Sequence, residues 1–134
     1  MAGSKSDYLE NEILDHVLGG GDYTRPSTVY IALYTTAPTD SGGGVEVSAP
    51  SYTRKAVTNN ATNWPAAAGG VKTNGSDIVF ETAEESWGTI VAFGIHDAIT
   101  SGNILYWGDL TSSRLIDQGD TAFFRAGTLT ITED

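Results

Sequence analysis

From residue 28 to residue 132 the chain is a succession of short apolar runs rich in β-branched and aromatic residues, each cut off by a turn signal before it reaches helical length. "TVYIALYT" (28–35) lies between Pro26 and the flexible "TAPTDSGGG", and reads as a buried strand followed by a loop. "SYTRKAVT" (51–58) alternates Tyr52, Arg54, Ala56 and Thr58 against Thr53, Lys55 and Val57, as a half-exposed strand would. Further strands are predicted at 77–82, 89–97, 103–110, 114–118, 121–124 and 128–132, with turns at "TSGN", "DQGD" and "RAG". Strands recurring about every 8–12 residues, with no βαβ alternation, predict a mainly β protein: an antiparallel β-sandwich or jelly-roll-like domain. At 134 residues, one domain spanning 1–134 is expected.

One segment departs from this pattern. In "SDYLENEILDHVLGGG" (6–21), Leu9, Ile13 and Val17 follow helical spacing, with Leu14 and Leu18 read onto the same stripe and Glu10, Glu12 and Asp15 opposite. A short N-terminal helix over 6–18 is expected, capped by Ser6 or Asp7, with Asp7 and Glu10 at capping-box spacing and Gly19–Gly21 ending it. So short a helix is marginal alone, and its stripe must dock on this domain or on a neighbour.

Seventeen acidic against seven basic residues leave a net charge of −10, which repels phosphate backbones and anionic headgroups. Neither nucleic acid nor a membrane is expected as a partner; a basic or neutral protein surface suits better. There is no cysteine, so disulfides and thiolate metal sites are excluded. No apolar run approaches the roughly 20 residues of a membrane span or forms a signal peptide, so synthesis in the cytosol without an export address is expected.

The chemical motifs lead nowhere. His16 and His96 lie on different elements without metal-ligand spacing, and a structural or solvated role is expected for both. No G-x-S-x-G is present, and Ser86-Trp87-Gly88 resembles no nucleophile elbow. Glu84-Glu85 and Asp117 with Asp120 could flank a glycosidic bond, and Asp109, Asp117 and Asp120 could meet a calcium ion. An acid-rich chain produces such groupings by composition, so solvated loop charge is their default reading. No phosphate-binding glycine loop occurs, and Asn60 and Asn74 head glycosylation sequons without an export signal. No catalytic, cofactor-binding or metal-binding residue is assigned, and no cofactor or enzymatic activity is expected. Trp64, Trp87 and Trp107, with Tyr106 and Phe93, are either a sugar-stacking platform or core and subunit interface, the latter favoured because Phe93 sits in an apolar run.

"NNATNWPAAAGG" (59–70) has no charged side chain. Asn59, Asn60 and Asn63 can fold back on the backbone, Trp64 can anchor the loop, and Pro65 and Gly69-Gly70 shape its exit. The segment is either a surface loop for a neighbouring subunit or an ordinary crossover with a buried Trp. Leu9, Ile13, Leu14, Val17, Leu18 and Trp64 are the candidate partner-binding residues.

Together "SDYLENEILDHVLGG", "VYIALYTTAPTDSGGGVEVS", "AVTNNATNWPAAAGGVKTNGSDIVF", "SWGTIVAFGIHDA", "GNILYWGDLT" and "GDTAFFRAGTLTIT" resemble, in order over roughly residues 6–132, the small virion proteins of tailed bacteriophages commonly called tail fibre proteins. The resemblance implies a non-enzymatic structural component of the virion exterior, made in the host bacterial cytoplasm. It would act as a tail-fibre-type or a capsid decoration (cement) protein, binding major capsid or tail proteins and itself as a homo-oligomer, with a trimer the first expectation. A receptor- or carbohydrate-binding tail domain is the alternative.

Overall fold

A computed structural model describes residues 3–133. The elements in chain order are β1 (Gly3–Lys5), α1 (Asp7–Val17), β2 (Thr28–Thr36), β3 (Val45–Glu46), β4 (Lys55–Thr58), β5 (Val71–Thr73), β6 (Ile78–Val79), β7 (Gly88–His96), β8 (Ile104–Ile116), β9 (Phe123–Phe124) and β10 (Thr130–Thr132). The protein is mainly β, with antiparallel sheets and one helix, as its patterning requires. The large sheet runs β3-β2-β7-β8-β1-β10-β5, with β4 also on β2, and β6 and β9 form a separate two-stranded sheet.

The apolar alternation of β2 explains how the sheet is clothed. Val29, Ile31 and Leu33 join the main core with Phe93, Ile95, Leu105, Leu129 and Ile131, whereas Ala32 and Tyr34 pack on the other face with Ala92. The β6–β9 pair closes over the main core, where the Phe93 and Phe124 rings meet edge to face at 6.1 Å between centroids.

Two departures from the expected strands have physical causes. The runs 103–110 and 114–118 are one strand, β8, but interrupted near the predicted gap. Ile90 faces Arg114 and Ala92 faces Asp109, so Leu110 to Ser113 bulge opposite the single Val91. Three strands were also not expected: β1, β3 and β5. None exceeds three residues, too few to show an alternation. β1 lies inside the large sheet, antiparallel to β8 and parallel to β10, held by main-chain pairing on both sides. That parallel pair is an exception to an antiparallel reading. β2 and β7 reach their expected lengths, whereas β4 covers only 55–58, β6 only 78–79, β9 only 123–124 and β10 only 130–132.

Helix α1 occupies the expected segment, with Ser6 as its cap. Ser6 Oγ accepts from Leu9 N at 3.1 Å and donates to the Ile104 carbonyl at 2.6 Å, so one hydroxyl ends the helix and ties it to β8. Asp7 is the first helical residue, which displaces the expected Asp7–Glu10 capping box.

Candidate functional site

The six candidate partner-binding residues divide into two groups. Leu9 and Trp64 are buried and Ile13 is half-buried, whereas Leu14, Val17 and Leu18 are 57%, 68% and 73% exposed. The shared stripe expected for all five helix residues is therefore corrected. At about 100° per residue, Ile13 stands roughly 40° from Leu9, but Leu14 and Leu18 stand roughly 140° and 180° away, on the opposite side. α1 docks through Ser6, Leu9 and Ile13, with Tyr8 also against the core. Its far end carries an apolar knob beside the exposed acids Glu10 and Asp15. Beyond it the glycine segment folds back so that Tyr23 N donates to His16 Nδ1 at 3.1 Å, a structural role for that histidine.

The inner group meets at one place. Leu9, Ile13 and Trp64 line a largely apolar cavity of about 390 Å³, with Val29, Leu105 and Ile131 at its walls and Arg25 and Lys72 among its lining. Arg25 and Ala67 are exposed, so the cavity reaches the surface. The loop at 59–70 builds its side as its composition suggests. Asn63 N donates to Asn60 Oδ1 (2.9 Å), Asn63 Nδ2 to the Thr58 carbonyl (2.9 Å), and Asn59 Nδ2 to the Pro26 carbonyl (2.8 Å). Gly69 and Gly70 take positive φ at the hairpin into β5. The Trp64 ring is 8% exposed and its Nε1 is buried with no hydrogen-bond partner.

The tryptophans do not make a sugar platform. Trp87 and Phe93 are core residues like Trp64, and Trp87 Nε1 donates to Ser51 Oγ (2.9 Å). Trp107 is half-buried, with Nε1 donating to Asp40 (2.9 Å). Their rings are spent on packing, which leaves no flat exposed indole pair.

A second, polar recess of about 530 Å³ lies on the opposite side of β1 and β8's start, lined by Tyr34, Glu46, Arg54, His96 and the loops at 40–44 and 101–103. Arg54 grips Glu46 with two parallel bonds, Nε to Oε2 and Nη2 to Oε1, both 2.9 Å. Its Nη1 donates to the carbonyls of Ala98 (2.8 Å) and Ser101 (3.0 Å). Tyr52 Oη donates to Glu46 at 2.6 Å and accepts from Leu33 N at 3.0 Å. Burial alone would raise the Glu46 pKa, but the bonds and charge of Arg54, with the Tyr52 bond, bring it below the ordinary value.

Tyr34 Oη lies 2.8 Å from His96 Nε2. Burial, reinforced by Glu46, pushes Tyr34 up to about 12; burial and the Arg54 charge push His96 down to about 4. Both are neutral at pH 7, and every Arg54 nitrogen is engaged, so the cluster is a clamp joining β2, β3, β7 and the 97–103 loop. Among the described residues no serine hydroxyl is hydrogen-bonded to either histidine: Ser51 Oγ is held by Trp87, Glu84 N and Glu85. Among the described residues no three of His, Asp and Glu converge to hold a metal ion, and no helix is long and apolar enough to cross a membrane.

Sequence reasoning missed Glu46, Arg54 and Asn74. Asn74 heads a sequon, yet is 2% exposed and holds Leu129 N, Ser76 O and Arg125 O together. No local signal marked Arg54: in a strand read as half-exposed, a basic residue is ordinary, as Lys55 beside it shows.

The family profile described as "Podophage GP4 fiber I protein gp80" matches residues 4–132. The chain belongs to this family. The match takes in all but the first residue of β1 and every later element, including α1 with its exposed end, the Arg54 clamp and all of the cavity lining except Glu133. Membership in the fibre family makes the chain a phage fibre-type protein and suggests the virion as its setting. No curated protein matches the chain.

Proposed function

We propose that this fibre-family protein is a non-enzymatic structural component on the exterior of a tailed phage particle, acting through protein–protein contacts as a homo-oligomer. The observation that carries the reading is the knob of Leu14, Val17 and Leu18, three apolar side chains in water at the end of a helix whose start is firmly capped and docked. A contiguous apolar group of this kind, rimmed by acids, suits a contact that is completed by another chain. The neutral Tyr34–His96 pair and the fully engaged Arg54 support a non-catalytic reading. A tail position follows the family's fibre description, and capsid decoration is the alternative within the same class. With the indoles committed to packing, a carbohydrate-binding reading has no aromatic platform to rest on.

The test is absolute copy number in purified particles, by quantitative mass spectrometry against the major capsid protein. A few to some dozens of copies are expected for a tail component. Hundreds of copies would replace that position by capsid decoration, and absence from particles would overturn the virion reading.

A further inference from the structure

We propose that the cavity lined by Leu9, Ile13 and Trp64 receives the Leu14–Val17–Leu18 knob of a second copy of this chain. The inference rests on the reading of the protein as an assembling fibre component and names the contact by which it assembles. One helix provides both halves. Its inner side walls the cavity through Leu9 and Ile13, while Leu18 projects about 180° away from Leu9, so a chain cannot seat its own knob in its own cavity. Each copy thus carries one unfilled apolar socket of about 390 Å³ and one unburied apolar projection.

Charge selects the occupant. The chain carries −10 overall, and most faces of two copies repel. The socket is an exception: Arg25 and Lys72 are among its lining residues and neither takes part in an ion pair among the described residues, whereas its one acidic lining residue, Glu133, is paired with Lys5 at 2.8 Å. By the same angles the knob comes flanked by the exposed Glu10 and Asp15. Seating it brings acids toward two of the chain's seven basic residues while burying apolar surface on both sides. Knob and socket are different surfaces, so the contact leaves a free knob and a free socket unless a pair or ring closes.

The experiment uses the full chain and two sets of changes at exposed positions. Leu14→Asp with Leu18→Asp disables the knob; Arg25→Glu with Ala67→Trp blocks the socket. Masses are read by light scattering coupled to size exclusion, with circular dichroism as the check on folding. The wild type is expected above the 14.1 kDa monomer, each variant alone at monomer mass, and an equimolar mixture of the two as particles of two chains, since one intact knob and one intact socket remain. A monomeric wild type, a variant that keeps the wild-type mass, or a mixture that stays monomeric would overturn the proposal. So would an assembly that forms only when another virion protein is added. Recovery of the wild-type chain from purified particles is scored separately, so a failed knob contact is distinguishable from a failed virion assignment.

Discussion

Tyr34 on β2 and His96 on β7 face each other across the sheet, their rings within 15° of parallel and Oη 2.8 Å from Nε2, with the other ring nitrogen of His96 buried and unpartnered. In register Tyr34 pairs with Ala92 and His96 with Tyr30, so the two rings meet diagonally over Gly94, where the space is crowded: a Cβ added at Gly94 would stand 2.9 Å from the Tyr34 ring and 3.2 Å from His96 Nε2. The contact depends on a glycine at 94, and at pH 7 it joins a neutral histidine to a protonated phenol.

His96 makes the fold acid-sensitive. Its folded pKa, about 4, is below the ordinary 6.5, so between those values the unfolded chain binds a proton that the folded chain refuses. Stability is complete above about pH 6.5 and falls as pH is lowered toward 4, by up to roughly 3 kcal/mol. Glu46, whose folded pKa is also depressed, adds loss in the same direction below its ordinary 4.5. Urea unfolding of the wild type from pH 7 to pH 4 should show this decline, and His96→Gln, which cannot titrate, should flatten the portion between 6.5 and 4.5. An unchanged slope in the variant would assign the sensitivity elsewhere.

Arg54 is predicted to be a large stability contributor for a single charged residue. Its guanidinium is the common partner of Glu46 and of two loop carbonyls. Arg54→Ala leaves the Glu46 carboxylate half-buried without its counter-charge and should cost roughly 3 kcal/mol in chemical denaturation. Arg54→Lys keeps the charge but loses the planar fork, so it should recover only part of that loss. Equal stability of all three proteins would show the clamp to be energetically idle.

Asn74 carries a comparable weight through hydrogen bonds alone. Its Oδ1 is the partner of Leu129 N, inside the core, and its amide closes the turns at Ser76 and Arg125. Asn74→Ala should cost about 2–3 kcal/mol because donor and acceptor groups are left buried and unpaired. Asn60→Ala, which removes one bond in an exposed turn, should cost well under half as much. The comparison is made by thermal unfolding monitored through tryptophan fluorescence.

What the sequence made legible follows from the range of the forces involved. Local periodicity and capping are written in neighbouring residues, so α1 and the long strands β2 and β7 could be read directly. The Asn-rich turns of 59–63 were legible for the same reason. β1, β3 and β5 were not, because strands of two or three residues exist only through the partners that pair with them. The Arg54 clamp and the Asn74 bonds join residues far apart in the chain, and nothing in their neighbours marks them. The helix stripe erred differently: Leu14 and Leu18 satisfy an i, i+4 rule with each other, but their angle to Leu9 puts them on the other side.

That angle gives the sharpest contrast between equal residues on one helix. Leu9 is 3% exposed and Leu18 is 73% exposed. Leu9→Ala removes a side chain from the junction of α1, β8 and the cavity wall, and should cost about 2–4 kcal/mol. Leu18→Ala removes one from water and should change the stability of the dilute monomer by less than about 0.5 kcal/mol. Unfolding is measured at a protein concentration low enough that dissociation does not contribute, since burial of Leu18 against another copy would add a concentration-dependent term. A large loss for Leu18→Ala that is independent of concentration would mean that the knob packs within its own chain. A loss that grows with protein concentration, absent for Leu9→Ala beyond its fixed cost, would place Leu18 in a contact between chains.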